Sequence, residues 1–474
     1  MKFIKSVAIY GGADFVSKII AFLTFPVLAK ALNPAAFGLL ELAFTLVSIF
    51  GLFVGCGING AAQRYYWEGD TSRERQRDVI STGLYIQIGL GLCFLLLYLF
   101  GYYLAVEQFG LVSPLGAWGG LACVLLILTG QWVQYLQDTT RLHFSPWSFF
   151  SVALTSKGLT SILGVCAVLY FGAGVPGLLI AQVCSMVLVM PLGLYLVRRD
   201  VGLVFDKQLA VEMLRFGYPF IFVGLAYWVF GAIDRWMLTL MSSVEDTGIF
   251  SVASRFASIL LFVSMAFGQA WSPFALKLKH DKPEGYREVY YLVLNALILC
   301  MGFLAFALSV FSKEIVQLTV GDTYVGAVLP FVILVFGVAL QAATQVTAIG
   351  ISLERKTHLF ARLSWAAVAL CAGLNYFLIP LWGGVGAAWS TFVVYLFLSS
   401  SYLYFTQRLH PLPIVWSRLI VAVICFMMMF AVSLLLYVNF AAWQYVFVKF
   451  LLVFGFLAFI IVVSPVKRYL HAFK

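Results

Sequence analysis

Apolar stretches of about 20 residues recur along the whole chain, and they constrain its fold more than any other feature. Each is long enough to cross the roughly 30 Å hydrocarbon core of a bilayer as a helix. Charged residues make up only 11% of the 474 residues, whereas a soluble domain carries about a quarter. Because such a chain cannot cover a water-facing surface of its size, the sequence predicts an all-α polytopic membrane protein.

We predict about fourteen transmembrane helices. They cover residues 7–31, 37–60, 79–104, 117–137, 148–171, 178–197, 217–241, 247–274, 288–311, 326–350, 359–379, 385–406, 418–438 and 446–464. The segments between them are about twenty residues at most, which leaves no room for a soluble domain.

The distribution of basic residues predicts the orientation of these helices. With the N-terminus in the cytoplasm, most of the 30 Lys and Arg residues fall in cytoplasmic segments. The loops on the opposite side contain very few Lys or Arg residues. The exceptions are Lys18, Lys30, Lys157, Arg235, Arg255, Lys313 and Lys449. Because Lys and Arg accumulate on the cytoplasmic side of membrane proteins, we expect both termini to be cytoplasmic.

Two patterns in the first half of the chain recur in the second half. They are Gly38 with Ser48, echoed by Gly248 with Ser258, and the glycine-rich turn 174–177, echoed by 383–386. We therefore predict two pseudo-symmetric six-helix bundles, residues 1–200 and 201–410, followed by two additional helices in 411–474. Parallel repeats of this kind place a substrate site between the halves, near the bilayer midplane.

Signatures of enzymes and cofactor sites are absent from the sequence. It contains no Walker-type phosphate loop, no His-Glu-x-x-His pair and no nucleophile elbow. The eight cysteines fall inside predicted spans, where we interpret them as small apolar residues. We expect no enzymatic activity, no cofactor and no metal site, and transport is the default function for so many helices with so little outside them.

Basic residues inside the predicted spans are candidate substrate ligands. A charge at the centre of a membrane helix costs at least about 2.5–3.5 kcal/mol unless it faces a partner or a wet cavity. The candidates are Lys18, Lys157, Arg235, Arg255 and, at the inner end of the second helix, Arg64. Simpler explanations stay open, because Lys157 could snorkel to the interface and Arg64 could serve as an ordinary cytoplasmic anchor.

Two acidic residues inside the spans are candidates for ion coupling. Asp14 lies one helical turn before Lys18, and the two either neutralise each other or face a lumen. Asp234 is adjacent to Arg235, and a structural bridge to Arg255 is the simpler alternative for it. We interpret Glu41, near the start of the second helix, as interfacial. Because basic residues outnumber acidic ones in the interior, we expect a cavity that attracts an anionic substrate.

Several motifs resemble the polysaccharide-biosynthesis flippases, the Wzx-type O-antigen and lipid-linked oligosaccharide flippases of the multidrug/oligosaccharidyl-lipid/polysaccharide (MOP) exporter superfamily. The first stretch runs from Ala31-Leu32-Asn33-Pro34 to Gln63-Arg64-Tyr65. The others are Arg215-Phe216-Gly217-Tyr218-Pro219-Phe220, Asp234-Arg235, Gly248-Ile249-Phe250-Ser251, Ala270-Trp271-Ser272-Pro273-Phe274, Gly321-Asp322-Thr323-Tyr324 and 383–388. The resemblance covers about the first twelve helices.

This resemblance implies a transporter of the bacterial inner membrane. It would move an undecaprenyl-diphosphate-linked oligosaccharide from the cytoplasmic to the periplasmic leaflet by alternating access. The cationic lumen would hold the diphosphate, membrane lipids would surround the protein, and a polysaccharide polymerase and assembly proteins are further expected partners. Coupling to protons or sodium would use Asp14 and Asp234. A lipid II flippase, a multidrug exporter and a membrane polysaccharide polymerase or ligase are alternatives.

Overall fold

A computed structural model describes residues 2–68, 72–109, 115–281, 285–354, 356, 358–439 and 446–463. Within these ranges the regular structure is helical. The α-helices are α1 (Lys2–Ala31), α2 (Pro34–Gly55), α3 (Ile58–Trp67), α4 (Arg73–Phe109), α5 (Gly116–Leu142), α6 (Pro146–Leu169), α7 (Gly174–Val197), α8 (Lys207–Met241), α9 (Val244–Asp281), α10 (Tyr286–Val310), α11 (Ser312–Thr319), α12 (Val328–Thr347), α13 (Ile349–Leu353), α14 (His358–Leu409), α15 (Trp416–Asn439) and α16 (Val446–Val463). One 3-10 helix, Asp322–Ala327, precedes α12.

The all-α membrane fold predicted from the sequence is confirmed. All the predicted spans fall on helices, and 11 stretches in the described part are individually long and apolar enough to cross a membrane. One reason for the lower number is α14, which contains two predicted spans, 359–379 and 385–406, joined across a kink at Gly383. Residues 447–458 of α16 form a shorter apolar helix.

The second predicted span is broken into α2 and α3. Asn33 caps the start of α2, where its side chain accepts a hydrogen bond from the backbone N–H of Ala36 at 2.7 Å. The helix ends at Cys56 and Gly57, whose φ angles of 43° and 65° are left-handed. Glycine adopts this conformation without steric cost, so the chain can turn here and begin α3.

The break between α2 and α3 also receives α8 at close range. A Cβ atom built on Gly217 would lie 2.2 Å from the carbonyl oxygen of Cys56, and one on Gly57 would lie 2.4 Å from the carbonyl oxygen of Gly217. The nearest atoms belong to the backbone, so a side chain at Gly57 or Gly217 could be accommodated only if one of the helices shifted. The Gly217 position in the Arg215–Phe220 motif is therefore a packing requirement.

We expect Gly217→Ala to lower the free energy of unfolding by about 1–3 kcal/mol, the usual cost of overpacking. The measurement is the unfolding midpoint of the purified protein. Gly101→Ala in α4 is the matched control, because a Cβ there meets open space. A Gly217→Ala variant with an unchanged midpoint would contradict the close approach.

The chain divides into two compact units, Met1–Ala232 and Ile233–Lys474. In the first unit, α5 packs against α2, α4 and α7, and α6 packs against α1 and α7. In the second unit, α12 packs against α9, α10 and α14. The division at 200 and 410 that the sequence suggests stays a prediction.

Both units show the features expected of a repeat. Gly174 at the start of α7 and Gly383 at the kink of α14 both have a positive φ, 58° and 53°. The most extensive helix pair is α5 with α7 in the first unit and α12 with α14 in the second. These correspondences support two pseudo-symmetric bundles.

Candidate substrate and ion sites

In the first unit, the predicted ligands lie on α1 and α6. Lys18 is half-buried on α1 and has a partner. The side chain of Asp14 lies outside the described residues, so the proposed Asp14–Lys18 relation stays a prediction. Lys157 is exposed on α6 and follows the buried Ser156. An exposed lysine suits either of the two alternatives, snorkelling or contact with a wet cavity.

Arg64 forms an ion pair with Glu68 at the surface. Its Nε donates a hydrogen bond to Glu68 Oε2 at 2.7 Å, and its guanidinium lies 4.8 Å from the centre of the Phe216 ring. Both side chains of the pair are about half exposed. The hydrogen bond from Arg64 lowers the pKa of Glu68. A partner that stays charged at neutral pH competes with any substrate for this arginine, which favours the anchoring role that the sequence left open.

A hydrogen-bonded network joins three helices of the first unit around Asp138 of α5. Asp138 Oδ2 accepts hydrogen bonds from Asn59 at 2.7 Å and from Gln134 at 3.1 Å. The fully buried Gln87 of α4 donates to Asn59 Oδ1 at 2.9 Å. Arg141 lies 3.5 Å from Asp138 Oδ1. Asn59 and Gln87 come from α3 and α4, so no pattern within the sequence of α5 indicates them.

A cavity of about 250 Å³ lies beside this network. Gln131 and Asn59 line it together with Ser48 and glycines of α2. The Gln131 amide lies against Gly51 and Gly55. A Cβ atom built on Gly51 would lie 2.9 Å from Gln131 Nε2, and one built on Gly55 would lie 2.7 Å from Gln131 Oε1. In the second unit, Gln345 of α12 lies equally close to Gly268 of α9. Each unit thus packs a glutamine of its central helix onto a glycine of the neighbouring helix.

Asp234 occupies a polar site built from α8 and α14 in the second unit. Its Oδ1 accepts a hydrogen bond from Asn375 Nδ2 at 2.6 Å and lies 3.3 Å from Cys371 Sγ. Its Oδ2 accepts a hydrogen bond from the Thr391 hydroxyl at 2.9 Å. Cys371 and Asn375 are buried one turn apart on α14. These three partners are all neutral, and the alternative of a structural bridge to Arg255 stays a prediction.

The two arginines of the predicted site lie on neighbouring helices, α8 and α9. Arg235 is half-buried, and its Nε donates to Ser251 Oγ on α9 at 3.3 Å. Arg255 is half-buried on α9. The structure therefore brings Asp234 together with polar groups of α14, and it places both arginines, each with a partner, on α8 and α9.

One sequence interpretation is wrong. Cys371 is not merely a small apolar residue, since its thiol lies against the carboxylate of Asp234. The sequence around Cys371 carries no local signal of this contact, because the two residues are separated by 137 positions. Glu41 is buried among its neighbours in α2, with 5% of its surface exposed, and its interfacial depth stays a prediction.

The fold is shared with transporters of known structure. The inward closed conformation of the lipid II flippase MurJ superposes with a TM-score of 0.65 at 15% identity, covering 92% of this chain and 98% of that one. An inward-facing multidrug transporter of the MATE family and the MOP superfamily gives 0.63 at 15% identity, covering 82% of this chain and 94% of that one. The chain thus has the fold of these proteins, and its many apolar helices define a multi-pass membrane protein.

Sequence comparison gives the family. The sequence-family model described as "Polysaccharide biosynthesis protein" matches residues 3–279, more than half of the chain. The chain therefore belongs to this family. The succinoglycan biosynthesis transport protein ExoT of Rhizobium meliloti (strain 1021) is 25% identical over 276 residues, which are 55% of this chain and 51% of ExoT, about half its length. A Shigella flexneri protein that carries the name of an O-antigen transporter is 24% identical over 405 residues, 80% of this chain and 91% of that protein. The resemblance stated from the motifs is confirmed.

Proposed function

We propose that this chain is a flippase of the bacterial inner membrane with both termini in the cytoplasm. It moves an undecaprenyl-diphosphate-linked oligosaccharide, an O-antigen or similar surface polysaccharide unit, from the cytoplasmic to the periplasmic leaflet by alternating access. The observation that carries the proposal is the set of half-buried cations inside the spans, Lys18, Arg235 and Arg255, in a member of a polysaccharide biosynthesis family. A polymerase and assembly proteins would then act on the unit delivered.

The charge of these residues favours an anionic substrate. Cations that line a wet cavity attract anions through the low-dielectric walls around it, and a diphosphate supplies two or more negative charges. The prenyl tail can stay in lipid while the diphosphate moves past the cations. A multidrug exporter of organic cations would need the opposite sign of charge, so the cations favour the flippase.

Asp234 is the coupling residue in this proposal. Its carboxylate, the Thr391 hydroxyl and the Asn375 side chain bring several oxygens together, and oxygens are the ligands that hard cations prefer. Asn375 Oδ1 is buried and has no hydrogen-bond partner among the described residues, so the amide could turn this oxygen toward a bound cation. A proton or a sodium ion bound at Asp234 would change the charge of the second unit during the cycle. Asp14 is the second acidic candidate.

Charge reversal tests the substrate site. We expect Lys18→Glu and Arg255→Glu each to abolish export of surface polysaccharide while the protein still inserts, because each replaces an attraction for the diphosphate by a repulsion. Export is measured by surface labelling of the polysaccharide in a strain that lacks the chromosomal copy, and insertion by the amount of protein in the membrane fraction.

Two kinds of variant are the matched controls for this test. The charge-conserving variants Lys18→Arg and Arg255→Lys should retain most of the export. Arg362→Glu, a charge reversal at the exposed start of α14, should also retain it. Normal surface polysaccharide in both charge-reversal variants would remove these residues from the site. The genomic neighbourhood tests the substrate class separately, since adjacent glycosyltransferases and a polymerase favour the flippase, and their absence favours a drug exporter.

A further inference from the structure

A polar cavity of about 470 Å³ lies at one end of the first unit, away from the residues assigned above. The end of α3, the start of α4, the turn between α5 and α6 and the end of α7 surround it. By the predicted topology this end faces the cytoplasm. Three arginines from two different helix ends, Arg73, Arg198 and Arg199, line the cavity.

Among the described lining residues, three arginines stand against one carboxylate. The carboxylate among its lining residues, Asp200, already contacts His143 Nε2 and accepts a hydrogen bond from the Tyr66 hydroxyl at 3.5 Å. In the part of the chain that the structure describes, none of the three guanidinium groups has a carboxylate within 4 Å. Arg198 rests on the ring of Tyr195 at 4.2 Å, a contact that leaves its N–H groups available.

Neutral donors complete the lining. The hydroxyl oxygens of Ser145 and Ser148, at the start of α6, lie 2.7 Å apart, and both residues line the cavity. Guanidinium and hydroxyl groups together are the donors that recognise phosphate oxygens in proteins. The cavity therefore has the chemistry of a phosphate site.

Exposed aromatic side chains place this cavity at the depth of lipid headgroups. Trp67 is 49% exposed, Phe144 76% and Trp147 62%, and the rings of Trp67 and Phe144 lie 5.9 Å apart. Tryptophan concentrates at membrane–water interfaces. A free anion would gain nothing from these rings, whereas the glycerol and upper acyl chain of a phospholipid would cover them.

We propose that this cavity binds the phosphodiester headgroup of an anionic phospholipid, with its phosphate among Arg73, Arg198 and Arg199. The lipid would hold the ends of α4, α6 and α7 together at the membrane surface. The site is separate from transport of the substrate and does not depend on the identity of that substrate.

Native mass spectrometry of the purified full-length protein, titrated with phosphatidylglycerol or phosphatidylcholine, tests the proposal. Each Lys or Arg near a membrane surface contributes about 1 kcal/mol to the binding of anionic lipid. We therefore expect Arg198→Gln/Arg199→Gln to weaken retention of phosphatidylglycerol by at least about tenfold, with retention of phosphatidylcholine unchanged. The single variant Arg73→Gln, on a different helix, should weaken it by about fivefold.

The double variant Arg362→Gln/Arg408→Gln is the matched control, because it removes two exposed arginines from α14 without touching the cavity. Equal retention of phosphatidylglycerol by the wild type and both cavity variants would overturn the proposal. Displacement of phosphatidylglycerol from the wild type by millimolar inorganic phosphate, at an efficiency that the cavity variants lose, would also overturn it in favour of a free-anion site.

Discussion

Asp234→Asn is expected to reduce gradient-driven polysaccharide export by about 10- to 100-fold. The substitution keeps the size of the side chain but removes its charge, and a hydrogen bond to a charged group contributes about 1.5–3 kcal/mol, which corresponds to that range. Asn375 and Thr391, which now donate to a carboxylate, would face a neutral amide that cannot hold a cation. The measurement is surface polysaccharide with the ion gradient intact and after an ionophore has collapsed it.

Two further variants separate coupling from structure. Asp206→Asn is the matched control, since Asp206 caps the start of α8 through the backbone N–H groups of Gln208 and Leu209 and asparagine is an equally good cap. Thr391→Val should give a smaller loss of export, because it removes one oxygen and keeps the charge. If Asp234→Asn exported normally and still responded to the ionophore, Asp234 would not be the coupling residue.

The Asp234 site shows how far a sequence can lead toward a functional site in a membrane protein. An acid inside a span stands out because its cost requires a function or a partner, so Asp234 is readily identified. Its partners are not, because Cys371, Asn375 and Thr391 are ordinary membrane residues whose role depends on α14 lying beside α8. Only the three-dimensional packing brings these groups together.

The fold itself follows from the sequence more completely than the site does. Hydrophobic length determines where each helix can lie, and the repeated glycine turns at 174–177 and 383–386 indicate the duplication. The break at Cys56 and Gly57 is not evident, because the apolar run continues through it and Gly217, which packs against it, is distant in the sequence.

The last described helix, α16, contributes to the second unit through a buried ion pair. Lys449 Nζ of α16 lies 2.6 Å from Glu314 Oε1 of α11, and the two side chains are only 4% and 7% exposed. Both α15 and α16 also pack against α10. Breaking a buried pair by removing one partner leaves an uncompensated charge, which costs about 3–5 kcal/mol.

We therefore expect Lys449→Met and Glu314→Gln each to lower the free energy of unfolding by about 3–5 kcal/mol. The double variant should recover most of this loss, because replacing both charges by neutral groups of similar size leaves no unpaired charge in the interior. Denaturant unfolding of the purified protein measures all three variants and gives the coupling energy of a double-mutant cycle. The exposed pair Arg64–Glu68 is the matched control, and Arg64→Met should change stability little because solvent screens that pair. Additive losses in the double variant would show that the two charges do not stabilise each other, and the attachment of α16 would then be ascribed to apolar packing such as its contact with α10.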